Sequence, residues 1–175
     1  MKILLRLSPT LLALALAMIL PSPSGPVAAG GMPSVSMNVA NAAPRQVEDT
    51  TERAVSRDYA SAWQAMVEAL AQNRPALLSA NFAGTAHDKL TATIDEQRKS
   101  GLRQRIVDQG HTVDAVFYSP EGSAIELQDT ARLQLQVLDG SKVISSQDAT
   151  VHYIALLTAA ENSWKVRVLE AVTSF

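Results

Sequence analysis

The chain has 175 residues, 47% of them apolar, 18% charged and 5% aromatic, which is the size and mixture of one globular domain rather than a disordered segment. Fifteen basic against seventeen acidic residues give a formal charge of −2, and with no basic stripe this excludes a nucleic-acid backbone held by charge. The absence of cysteine excludes disulfides, thiolate metal sites, cysteine nucleophiles and a lipidated cysteine anchor.

The chain opens as an address. Lys2 and Arg6 precede the uninterrupted apolar run Leu11 to Leu20, and Pro21 to Gly25 follow it. Val27-Ala28-Ala29 offers small side chains to a signal peptidase, and Ala40-Asn41-Ala42 is a second choice. The run is too short to cross a bilayer core. Residues 1–29 are therefore expected to be a cleaved signal peptide, and the product to be secreted or periplasmic. Without Lys2 and Arg6 the mature chain carries 13 basic against 17 acidic residues. Residues 30–48 are rich in Gly, Pro, Ser, Ala and Asn and show no helical or strand period, so they read as a flexible spacer.

A single folded domain is expected over residues 49–175. Asp49 and Glu52 have capping-box spacing, after which Val55, Tyr59, Ala62, Trp63, Met66, Val67 and Leu70 fall on one helical face. Asn73 and Pro75 end this helix and begin a short second one carrying Leu77, Leu78 and Phe82. Thr85 and Asp88 repeat the capping logic for a third helix, which closes on Arg98, Lys99, Ser100 and Gly101.

From Leu102 the period becomes two. Val113, Ala115 and Phe117 alternate with mixed neighbours, and Ser119-Pro120-Glu121-Gly122 reads as a turn. Ile125, Leu127, Ala131, Leu133, Leu135 and Val137 share an odd register with Ala149, Val151, Tyr153, Ala155 and Leu157, whereas Trp164, Val166, Val168 and Val172 are even. Odd facing odd requires an odd loop, so Leu138 to Gly140 is expected as a three-residue turn with Gly140 in αL, pairing Val137 with Ser141 and Leu127 with Val151. Odd facing even requires an even loop, Ala159 to Asn162, pairing Leu157 with Trp164.

Helices first and a long antiparallel meander after them make an α+β layout. With the tryptophan-bearing first helix (YASAWQAMVEAL), the Asn73–Phe82 segment and the closing Trp-Lys-Val at 164 to 166, the chain resembles the cone-shaped superfamily of nuclear transport factor two, ketosteroid isomerase and polyketide-cyclase-like proteins. The resemblance implies three helices packed on a curved antiparallel sheet. It departs from that group in showing no strand before Thr85. Because the group spans enzymes, scaffolds and transport factors, it constrains function little.

Asp129 is the main chemical anomaly, since strict alternation puts it on the face of Leu127, Ala131 and Leu133. A carboxylate inside an apolar cone would titrate high, which isomerases of the resembled group exploit. The alternative, favoured here, is a bend or bulge at Asp129-Thr130, where a long strand must curve. Glu170 is in register with Val166 and Val168 and reaches solvent near a strand end. His87 shares a face with Leu90 and Ile94, His111 opens a strand after Gly110, and His152 lies on the opposite face to Val151. No spacing suits a metal, no serine or glycine motif supports a hydrolase or a phosphate site, and no cofactor is expected. Trp63 and Trp164 read as core.

Ile154, Leu156 and Leu169 alternate with the core residues, leaving the second sheet face partly apolar. The resembled group commonly dimerises through that face, so a homodimer is expected there. The sequence favours an exported, non-catalytic module that binds a partner protein or a small apolar ligand in its cone, with Trp63, His87, Tyr118 and Asp129 as candidate binding residues. The alternative is a small acid–base enzyme of isomerase or cyclase type with Asp129 as its proton-transfer group, assisted by His87 or Tyr118.

Overall fold

The computed structural model describes residues 32–175, so the expected signal peptide lies outside the described residues. Two helices, α1 (Asp49–Gln72) and α2 (Gly84–Ser100), pack on a sheet of six strands: β1 (Val35–Asn38), β2 (Ala43–Pro44), β3 (Leu102–Tyr118), β4 (Ala124–Asp139), β5 (Lys142–Ala159) and β6 (Trp164–Val172). The sheet runs β1-β3-β4-β5-β6, with the two-residue β2 beside the far end of β3. Only β1 and β2 lie parallel to their neighbour.

Helix α1 forms because its apolar residues recur every three or four positions. Val55, Tyr59, Ala62, Trp63, Met66, Ala69 and Leu70 are all buried and meet the inward residues of the strands, among them Val113, Leu127, Leu133, Ala155 and Val166. The expected capping box at Asp49 does not form. The helix starts one residue earlier, from an extended Glu48 whose carboxylate is taken by Arg45 at 2.6 Å. Asn73 stops α1 by entering the left-handed region at φ 52°. Its carbonyl is then held by Arg98 of α2. Buried Gln97 ties three elements together, donating to the Leu70 carbonyl and the Asn73 side chain and accepting from the Gln104 amide. The expected second helix is a single 3-10 turn, Pro75–Leu78. After it Phe82 makes an isolated parallel bridge to Val166, which stands where the sequence shows no strand. Thr85 does not cap α2; its hydroxyl donates to the Arg167 carbonyl. Gly101 ends α2 in αL at φ 73°.

Residues 32–48 are not a spacer. Val35 to Asn38 pair with His111 to Asp114, and Val35, Met37, Val39, Ala42 and Val47 pack against the core. The alternation of Val35, Met37 and Val39 is a short strand pattern, and what makes it a strand is a neighbour 76 residues away in sequence.

The odd-against-odd register of β4 and β5 is as the parity argument requires, with Leu127 opposite Ala155 and Ala131 opposite Val151. The odd residue sits elsewhere, however. Asp139 pairs with Lys142 across a two-residue Gly140-Ser141 turn, and the surplus residue is Ile144, bulged where Val137 meets Ser145 and Leu138 meets Val143. Gly140 has φ 58°, as a primed turn demands of its first central residue. Between β5 and β6 the loop is even, but it is Ala160 to Ser163. A bulge at Arg167 then reverses the register, so that Leu156 faces Val168, Ala155 faces Leu169 and Ile154 faces Glu170. Leu169 therefore turns inward onto the core, and Val168 takes its place beside Leu156 on the outer face.

Candidate functional site: a sealed Asp-His-Asp cluster

The bulge that matters most lies in β3. Gln109 is the extra residue between Asp108, opposite Leu133, and Gly110, opposite Arg132, and Gly110 takes φ 118°. Insertion of one residue switches which parity faces the core. Ile106 is inward before the bulge, and His111, Val113 and Ala115 are inward after it. His111 thus sits inside the sheet rather than at a turn. Asp108 serves both the bulge and the ring: Oδ1 accepts from the Gly110 amide at 2.7 Å, and Oδ2 faces His111 Nε2 at 2.7 Å.

On β4, Asp129 is in unbroken register, opposite Val113 on one side and Tyr153 on the other. The expected bend is absent, and the carboxylate points into the core. Its Oδ2 lies 2.8 Å from His111 Nδ1 and accepts from the Tyr59 hydroxyl at 2.8 Å. The side chains of both His111 and Asp129 have no accessible surface. Two carboxylates around one imidazole favour its charged form. Burial opposes that charge and is the largest single influence, but the hydrogen bonds and charges of Asp108 and Asp129 together outweigh it and raise the His111 pKa to about 9. Both ring nitrogens then donate, one to each carboxylate. Burial, then the Asp129 charge, push the Tyr59 hydroxyl well above its ordinary value and that of Tyr153 up to about 12. Aromatic rings close the cluster, with Trp63 4.4 Å from the His111 ring and 5.2 Å from Tyr153, centroid to centroid. The indole Nε1 of Trp63 and Oδ1 of Asp129 have no hydrogen-bond partner among the described residues.

Of the four sequence-predicted residues, the structure brings together Trp63 and Asp129. His87 is on the α2 surface, 3.5 Å from Asp88 and 31% exposed. Tyr118 faces inward at the far end of β3, where a second bulge at Val116 turns Phe117 outward; its ring lies beside Trp164 and under the Arg45 guanidinium. Glu170 is outward and paired with Lys89 of α2. Outward His152 contacts Thr130 and the ring of Phe175. Among the described residues no three His, Asp or Glu side chains are placed to hold a metal ion, and no helix is long and apolar enough to cross a membrane.

The intermembrane-space region of the chloroplast protein ARC6 superposes with a TM-score of 0.62 at 16% identity, covering 75% of this chain and 100% of that one. The likeness shows the fold alone, an α+β arrangement of helices packed on a mainly antiparallel sheet. A scytalone dehydratase-like protein from Novosphingobium aromaticivorans (TM-score 0.48, 14% identity, 72% of this chain and 85% of that one) and ActVI-ORFA from Streptomyces coelicolor (0.46, 10%, 66% and 94%) are more distant. No protein-family model and no curated protein matches the sequence.

Within this fold, sequence reasoning missed His111, Asp108, Tyr59 and Tyr153 as members of one cluster. The available signal was Gly110 inside a strand pattern, which marks a bulge, together with Asp108 and His111 on either side of it. His111 shares the face of Val113, and so of Asp129, by simple alternation; the residue inserted at Gln109 is what brings Asp108, of the opposite parity, onto that same face.

Proposed function

We propose that this chain is an exported, non-catalytic interaction module. The observation that carries the reading is the sealing of its acid–base groups. A general acid or base must come within hydrogen-bond reach of its substrate, whereas Asp129 and His111 have no accessible side-chain surface and lie beneath Trp63. The ion pairs join β3 to β4, and the Tyr59 hydroxyl ties α1 to Asp129, so the cluster acts as an internal strut. The inner face of the sheet is filled by Leu, Val, Ile and aromatic side chains, which argues against a small ligand inside the cone. Partner binding falls instead to the outer face, where Phe117, Leu156 and Val168 lie along one row, interrupted by Glu126, and Ile154 lies in the next. Export rests on Lys2, Arg6, the run Leu11 to Leu20 and the small residues before Gly30. The sealing is tested by acrylamide quenching of Trp63 fluorescence in a Trp164→Phe variant. Burial in a close-packed interior should make quenching far weaker than for a free indole. Quenching near that of a free indole would mean that the cone opens to solvent, and the acid–base reading would replace this one.

A further inference from the structure

The two outer edges of the sheet are treated differently. At the β6 edge, the Val166 amide donates to the Asn81 carbonyl at 2.9 Å and its carbonyl accepts from Ala83 at 3.0 Å, so that edge is paired at Val166. At the β1 edge the parallel ladder uses alternate residues. The His111 amide donates to the Ser34 carbonyl, and the register of Val35 with His111 and Met37 with Val113 turns the amides and carbonyls of Val35 and Met37 away from β3. No described residue pairs with them. Natural edge strands are usually blunted by lysine, proline or a bulge; Val35-Ser36-Met37-Asn38 has none of these.

Alongside this edge runs an open cleft of about 380 Å³, floored by Pro33, Val35, Met37 and Ala60, with Arg53 and Arg57 on its rim one helical turn apart. Glu52 and Ser56 complete the lining. Arg57 is held by Asp58, while Arg53 is exposed and makes no ion pair among the described residues. A strand laid beside β1 would place alternate side chains in this cleft.

We propose that the β1 edge and the cleft beneath it bind an extended peptide segment by strand addition, with one apolar side chain on Val35, Met37 and Ala60 and a flanking carboxylate at Arg53. Main-chain bonds to Val35 and Met37 supply register, and the alternate pockets supply selectivity. A second copy of this chain is a poorer occupant, because a two-fold axis at this edge would bring the Arg53 and Arg57 pair toward its own image. The site is at the edge of the sheet and is independent of the outer-face association, so it stands if that association fails.

The test uses the mature protein and a fluorescein-labelled octapeptide of threonines with glutamate at its second and sixth positions and valine at its fourth. Fluorescence anisotropy should show saturable binding. Replacing both glutamates with lysine, or changing Arg53→Glu in the protein, should weaken it by roughly fivefold, the upper end of what an exposed charge contact contributes. N-methylation of the amides on one edge of the peptide should abolish binding, and N-methylation on the other edge should not. Absence of saturable binding, equal binding of the lysine peptide, or equal tolerance of both N-methylated peptides would each overturn the assignment. So would an Arg53→Glu effect confined to self-association of the protein, which would make this edge an interface between copies.

Discussion

Asp129 shows how one side chain's partners decide its energetics. An isolated buried carboxylate would gain from amidation, but this one carries the charge of His111, and removing one partner of a buried pair leaves the other uncompensated. Asp129→Asn should therefore lower the unfolding free energy by about 3 kcal/mol, read by urea denaturation with tryptophan emission. The pH profile follows from the raised His111 pKa. The folded state holds the proton more tightly than the unfolded chain, so the stabilisation is complete below the unfolded value near 6.5. It is lost as pH rises toward 9, a swing of about 3 kcal/mol. Wild-type stability should fall across that window, and the fall should shrink in Asp129→Asn, which keeps only Asp108. A wild-type profile that is flat from pH 6 to 9.5 would remove the charged imidazole from this account. The sequence marks Asp129 as anomalous because alternation fixes its face. His111 is on that face by alternation with Val113, but the third member, Asp108, stays hidden because only the bulge at Gln109 brings its parity inward, and a bulge leaves only the ambiguous signature of a glycine in a strand.

At the level of elements, parity is the reliable part of the reading and placement is the unreliable part. The odd-with-odd core of β4 and β5 demands one surplus residue, and pattern alone does not say whether it sits in the turn or in the strand. It sits at Ile144, and Gly140 still takes positive φ. An added Cβ at Gly140 meets nothing within 4 Å, so Gly140→Val should cost only the backbone penalty of a β-branched residue in that region, about 1 to 2 kcal/mol, with Gly140→Asn costing less. Equal melting temperatures for Gly140→Val and wild type would refute it. The Arg167 bulge has a larger effect, because it exchanges Leu169 for Val168 on the outer face. Helices α1 and α2 are legible because their periodicity and their stops at Asn73 and Gly101 are local signals, although neither expected N-cap forms. Strand β1 is not, because its short alternation acquires meaning only from β3.

For the whole molecule, a polar-rimmed apolar strip on an otherwise solvated sheet is the feature that bears on assembly. The mature chain is expected to sediment as a dimer at high micromolar concentration, and Leu156→Glu should give monomers with unchanged far-ultraviolet circular dichroism. Leu169→Glu, which places a charge against the core, should instead lower the melting temperature. Wild type that stays monomeric, or a Leu169→Glu protein that is monomeric and fully stable, would overturn the assignment of faces. The place of β1 in the sheet also bears on maturation. Of the two small-residue exits, the one at Ala42 lies downstream of β1, so a cut there would sever the strand that covers the His111 flank of β3 and leave Val35 and Met37 on the discarded piece. The exit at Ala29 keeps the strand, with five residues between the new terminus and Val35, a reach of about 17 Å even when fully extended. Under the proposed export reading, whatever held the leader before such a cut would also hold β1, which would join completion of the sheet mechanically to release of the leader.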